Sequence, residues 1–304
     1  MAFKNSMSTT SPFGKLVLLG VLMLLGMAFS VALLFALNMA LWDLPIGQIS
    51  VSDMQSNPDS LLAAKLLQMA SQIGLFILPA FGFAYFISPN IQAELSFKPG
   101  LNIKNAVIVV AITLLAIPFI NLLAQWNSEW HLPEFLGNVE VWMREKQATN
   151  DRLMEVILVM DTVPDIVINI VMMAFLPAIG EELIFRGIIQ KQLVKWLNSP
   201  HWAIFLTSVF FSAFHMQFLG FFSRLILGMI FGYLFHYSKN IRVPILAHFT
   251  NNFLALLLAF YFGVETAEPA FENPYSLVIV APTLMAFAAA VYLLMRNKEK
   301  FSLT

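Results

Sequence analysis

Long apolar runs separated by short polar segments dominate the chain. About 20 mostly apolar helical residues cross a bilayer core. Eight runs fit that measure: Leu16 to Trp42, Leu61 to Ile87 with Pro79 inside, Ala106 to Gln125, a fourth from Asp165 to well past Glu182, Trp202 to Leu219, Phe221 to Tyr237, Pro244 to Gly263 and Ser276 to Met295. The first is too long for a signal-peptide core and reads as a retained helix. The stretch from Trp126 to Pro164 is polar. Within it, Val139, Trp142 and Met143, then Leu153, Met154, Val156 and Ile157, fit an amphipathic helix lying on the interface. The expected fold is all-α: a polytopic membrane helix bundle of about eight transmembrane helices. It divides, within one membrane domain, into N-terminal helices and an interfacial loop (1–160), core helices (161–263) and a C-terminal helix (264–304).

Composition agrees. Hydrophobic residues make up 59% and charged residues 12% of 304, with a mean hydropathy of +0.77. Soluble domains carry about 25% charge, so this chain could not cover a water-facing surface. A net charge of −1 offers no basic face to nucleic acid, and the absence of cysteine excludes disulfides, thiolate metal sites and cysteine nucleophiles.

The basic residues set the orientation. With the N-terminus in the cytoplasm, Lys4, Lys15, Lys98, Lys104, Arg186, Lys191, Lys195, Lys239, Arg242, Arg296, Lys298 and Lys300 fall on the cytoplasmic side. Only Lys65, Arg144, Lys146, Arg152 and Arg224 fall opposite, where Lys65 and Arg224 read as span-end charges. The acidic residues Asp43, Asp53, Asp59, those between Glu129 and Asp165, and Glu265, Glu268 and Glu272 sort outside. The expectation is a multi-pass protein of a cell inner membrane with both termini cytoplasmic.

Polar groups at membrane depth are costly and need a reason. Three clusters stand out. The first is Gly180-Glu181-Glu182-Leu183-Ile184-Phe185-Arg186. Glu182 and Arg186 lie four apart on one helical face and can pair, which is the ordinary structural reading. Glu181 points about 100° away and lacks that partner; a carboxylate so placed suits a proton carrier. The second cluster ends in His215, the titratable group of the fifth run, with Phe211 four residues before it; Phe211 is most simply packing. The third is His248-Phe249-Thr250-Asn251-Asn252, where His248 and Asn252 can face one cavity. Either histidine could instead be a core residue bonded to backbone, and Asn251 a helix–helix contact.

Depth constrains whether the clusters can meet. If the fifth run entered the membrane at Pro200, His215 would lie about 22 Å in, far from Glu181 and His248. The mismatch disappears if the fourth helix continues to about Leu197 and the fifth enters near Leu206. A long fourth helix and a site in the cytoplasmic half of the membrane are therefore expected.

Taken together, the clusters resemble the motifs of the CAAX-protease and bacteriocin-processing family of intramembrane proteases (also called Abi), which includes the prenyl-protein endopeptidase of the endoplasmic reticulum. Glu181-Glu182-Leu183-Ile184-Phe185-Arg186 matches Glu-Glu-x-x-x-Arg, Phe211 to His215 matches Phe-x-x-x-His, and His248 to Asn252 matches His-x-x-x-Asn. The resemblance implies an intramembrane endopeptidase of glutamate or metallo type. Glu181 would be general base on a water that His215 orients, and His248 and Asn252 would donate to the oxyanion. Glu182, Arg186 and Phe211 would shape the site. It also implies a peptide or protein substrate, prenylated or bacteriocin-like, presented from the lipid bilayer. Glu181, His215 and His248 are a possible zinc set. His-Glu-x-x-His is absent, and a metal-free glutamate-activated water is slightly favoured.

Two other functions use the same polar residues. A non-catalytic immunity or scaffold protein is one, since some members of this family protect cells against bacteriocins. A proton-coupled transporter is the other, although no internal repeat supports it.

Overall fold

Backbone N–H and C=O groups in lipid must be satisfied within the chain, which restricts apolar runs of this kind to helix. A computed structural model describes residues 3–41, 49–262 and 277–296, and all regular structure among them is helical. The long elements are α1 (Pro12–Ala40), α2 (Pro58–Ile87), α3 (Ile103–Ser128), α4 (Gly137–Ile157), α5 (Val163–Leu197), α6 (Pro200–Phe214), α7 (Phe218–Ser238), α8 (Arg242–Phe262) and α9 (Leu277–Arg296). Six of these, α1, α2, α3, α5, α7 and α8, are long and apolar enough to cross a membrane. The protein is thus a multi-pass membrane helix bundle. The other two runs of the expected eight are α6 and α9, and their apolar helices, Pro200–Phe214 and Val280–Ala289, are shorter. Asp43, Glu265, Glu268, Glu272, Lys298 and Lys300, used in the orientation reading, lie outside the described residues.

Local sequence explains where the helices begin and end. Thr162 caps α5 by accepting from the Asp165 N–H while the Asp165 carboxylate accepts from the Thr162 N–H, with Pro164 in the first turn. The helix then runs 35 residues, reaching the expected end at Leu197. Asn198 stops it in the left-handed conformation (φ 51°), and Ser199 with Pro200 starts α6. The fifth run was expected to continue to Leu219, but α6 ends at Phe214. Met216 takes φ 53°, and the Ser212 hydroxyl donates to the Phe221 carbonyl at 2.6 Å, turning the chain back towards α7. Fifteen residues rise about 22 Å, less than a hydrocarbon core of about 30 Å.

Two helices widen into π-turns just ahead of a proline: Ile73–Ile77 before Pro79 and Ile170–Phe175 before Pro177. Proline has no N–H to donate and its ring crowds the carbonyl four residues back, and a wider turn relieves both conflicts. A third π-turn, Phe185–Gln190, contains Arg186.

The amphipathic segment forms α4, whose final turn buries Val156 and Ile157. Its start is tied down by Glu140, which accepts from the Leu132 N–H at 2.7 Å, pairs with Arg144 at 2.9 Å and contacts His131 at 2.8 Å. These bonds pull its carboxyl down to about 2. Lys65 departs from the reading as a span-end charge. It lies seven residues into α2 and is 2% exposed, because the helix buries that face in the bundle.

α1 packs on α2, α2 on α5, α5 on α8, α8 and α7 on α3, and α6 on α7. One apolar cluster joins Phe76, Phe83, Leu183, Ile184, Ile188 and Phe211; another joins Val109, Ile112, Phe231, Leu234 and Ala247. Close approach depends on small residues. A Cβ on Gly180 would lie 2.8 Å from Phe76 Cβ, and one on Gly232 would lie 2.8 Å from an Ile204 methyl. Gly180→Val is expected to separate α2 from α5 and to cost about 1–3 kcal/mol, the usual range for overpacking. An unfolding temperature unchanged from wild type in detergent would contradict this packing.

Candidate functional site

The buried centre is an ion pair shared by three residues. Glu182 and Arg186 are both 0% exposed, four apart on α5, with Arg186 Nη1 donating to Glu182 Oε1 at 2.8 Å. His248 of α8 approaches the same oxygen, Nδ1 to Oε1, at 2.9 Å. Arg186 Nη2 donates to the Gly228 carbonyl of α7 at 2.8 Å, so one guanidinium links α5 to α7 while one carboxylate links α5 to α8. Two phenyl rings flank the cation: Phe211 at 4.8 Å and Phe231 at 5.5 Å from the guanidinium carbon. Phe231 also stacks on the His248 ring at 5.2 Å and 25°.

Glu181, about 100° round the helix, faces a different set of groups. His215 Nε2 lies 4.0 Å and His248 Nε2 3.9 Å from its Oε2. That oxygen is buried and hydrogen-bonds to no protein group. Each imidazole is fixed at its other nitrogen. His215 Nδ1 is 2.8 Å from the Phe211 carbonyl, an acceptor, so that nitrogen carries the proton. His248 Nδ1 faces a carboxylate, which favours the same tautomer. In the neutral rings both Nε2 atoms are then acceptors, converging on a carboxylate that is itself an acceptor.

Asn252 is placed by a proline. Pro177 has no N–H to give the Met173 carbonyl four residues before it, and Asn252 Nδ2 donates to that carbonyl at 3.1 Å. Asn252 Oδ1 accepts from Asn251 Nδ2 at 3.2 Å. One amide hydrogen of Asn252 is thus spent on α5, and the other is not.

The structure therefore brings Glu181, His215 and His248 to one point and joins Glu182, Arg186 and His248 behind it. Phe211 packs beneath, 5.0 Å from the His215 ring and 5.9 Å from that of His248. Asn252 is held to the neighbouring π-turn rather than to Glu181. The Glu181 side chain is 7% and the His215 side chain 31% exposed, so the cluster opens on the His215 side.

Three contributors were not singled out from sequence. Phe231 carries no signal in a chain with 29 phenylalanines. Gly228 and Gly232 do carry one: their i, i+4 spacing matches that of Arg186 and Gln190, which donate to their carbonyls at 2.8 and 3.0 Å. Such small residues let helix backbones approach closely.

The fit to zinc can be tested on these distances. Zinc bonds of about 2.0–2.2 Å place tetrahedral ligand atoms about 3.4 Å apart. The gaps of 3.9 and 4.0 Å are wider. Among the described residues, no group of three His, Cys, Asp or Glu side chains is arranged to hold a metal ion. The same gaps accept a water at ordinary hydrogen-bond lengths.

Residues 163–254 match the family model Rce1-like, described as type II CAAX prenyl endopeptidase Rce1-like. The matched segment starts where α5 starts and ends within α8, and it contains Glu181, Glu182, Arg186, Phe211, His215, His248 and Asn252. No curated protein and no solved structure matches the chain.

Removing one partner of a buried pair strands the other charge, at a cost of about 3–5 kcal/mol. Glu182→Ala is expected to lose that much stability, measured by thermal or denaturant unfolding in detergent. A loss under about 1 kcal/mol, the value of an exposed pair, would show that Arg186 and His248 do not depend on it.

Proposed function

We propose that this chain, whose residues 163–254 place it in the CAAX-protease family, is an intramembrane endopeptidase in which Glu181 activates a water. The family is one of proteases, so a peptidase acting on a peptide or protein substrate is the reading at that level. The observation that carries the finer reading is the convergence of two Nε2 atoms, each fixed by a bond at Nδ1, on one buried oxygen of Glu181. Three acceptors facing one point are satisfied by a donor. A water there can donate to Glu181 and to His215 and keep a lone pair for attack.

The steps follow from proton balance. The water oxygen bonds to the scissile carbonyl carbon while one of its protons passes to Glu181. The carbonyl becomes an oxyanion. His248 donates to it from Nε2 as an imidazolium that takes this proton from solvent before substrate binds and keeps it throughout, its charge set against Glu182. The second amide hydrogen of Asn252 donates alongside, on a side chain whose plane is fixed by the Met173 carbonyl. The C–N bond then breaks, and Glu181 returns its proton to the leaving nitrogen. No step passes through a metal. His215, on the open side, orients the water and borders the substrate's way in. With both termini in the cytoplasm, α8 begins at the cytoplasmic side. His248, six residues in, then lies about 9 Å along it, which supports a reaction in the cytoplasmic half of the membrane.

Glu181→Gln in the full chain in liposomes is expected to slow cleavage of a prenylated model peptide by about 10²–10⁴, the usual worth of general acid–base catalysis, with the unfolding temperature retained. Cleavage at the wild-type rate would refute the assignment. Asn252→Ala is expected to lower kcat by about 10²–10³, the cost of one oxyanion donor. Stoichiometric zinc in the purified protein, lost together with activity on chelation, would overturn the metal-free route.

A further inference from the structure

A second site lies at the end of the bundle where α2 ends and α8 begins. There, Phe81, Ile91, Gln92, Phe97, Lys98 and Arg242 line a cavity of about 420 Å³. Its walls are mostly apolar, and the charges among the described lining residues are both positive. Arg242, the first residue of α8, is exposed, and its guanidinium lies over Gly100, where a Cβ would come within 3.9 Å of Nη1. Lys239 adds to the positive field: burial and the charge of Lys98 both lower its pKa. Among the described residues, no carboxylate lines the cavity. The one carboxylate of the adjoining loop, Glu94, is turned away to Lys191 at 3.6 Å, and the Lys191 amine also donates to the Glu94 carbonyl.

The surroundings narrow the occupant. Phe81 belongs to a membrane-crossing helix and is 41% exposed on its outer face, which in a bilayer is a face towards hydrocarbon. A cationic rim immediately above a hydrocarbon-facing phenyl ring suits an amphiphile, with its charge at the rim and its chain below. A soluble anion would use the rim and leave the apolar wall unmatched. Basic clefts between helices at a membrane interface are the known physical basis for retaining anionic headgroups.

We propose that this cleft binds one anionic phospholipid, with its phosphate between Lys98 and Arg242 and an acyl chain against Phe81 and Ile91. The assignment does not depend on the proteolytic reading, since neither basic residue belongs to the Glu181 cluster.

Native mass spectrometry of the full chain, purified with equimolar phosphatidylglycerol and phosphatidylcholine, tests it. Each cation near an anionic headgroup contributes about a fivefold preference. Wild type is therefore expected to retain one phosphatidylglycerol in preference to phosphatidylcholine by about tenfold or more. Lys98→Gln and Arg242→Gln should each reduce that preference about fivefold, and the double variant should abolish it. Lys195→Gln, at an exposed lysine outside the cleft, should keep it. Equal retention of the two lipids by wild type, or an undiminished preference in the double variant, would overturn the proposal. So would displacement of the lipid by inorganic phosphate alone, which would assign the cleft to a free anion.

Discussion

The buried contact among Arg186, Glu182 and His248 is the constraint on which the rest of the site depends. A full charge inside an apolar bundle is tolerated only when paired and hydrogen-bonded. Here one carboxylate oxygen serves both the guanidinium and the imidazole, and the guanidinium also reaches the Gly228 carbonyl. Satisfying the charge therefore fixes the positions of α5, α7 and α8 relative to one another. The order is not negotiable: if α8 slid by one turn, Glu182 and Arg186 would keep each other but lose His248.

The consequences reach Glu181 by helix geometry. Because Glu182 is committed to Arg186 and His248, its neighbour must point about 100° away, towards the Nε2 atoms of both histidines. His248 thus has two faces with two tasks: Nδ1 is held by the ion pair, and Nε2 is turned to Glu181. Phe231 and Phe211 complete the setting by enclosing the cation and confining both rings. The prolines act alongside. Pro177 leaves the Met173 carbonyl without its usual donor, and Asn252 takes that bond.

Much of this was legible in the chain. Apolar run lengths predicted a polytopic helical bundle, and the depth mismatch between His215 and its partners predicted that α5 would reach Leu197. Glu182 with Arg186 followed from i, i+4 spacing alone. Other features were not legible for identifiable reasons. The short α6 reflects a left-handed residue at Met216 and a hydroxyl bond from Ser212, neither of which hydropathy records. Lys65 looks like a span-end charge by position, yet packing buries it. Phe231 is one phenylalanine among many until it is found stacked on His248.

The sequence by itself determined the class of the protein and the chemical inventory: lipid-crossing helices, one carboxylate without a local partner, and two imidazoles and an amide on apolar helices. Those follow from period and composition, which are local properties. Only the tertiary structure decided which nitrogen of His248 faces Glu181, that both histidines face one oxygen of it, and that Asn252 spends a hydrogen on Met173. These depend on contacts between residues 34 to 79 positions apart, and helical spacing carries no information across such distances.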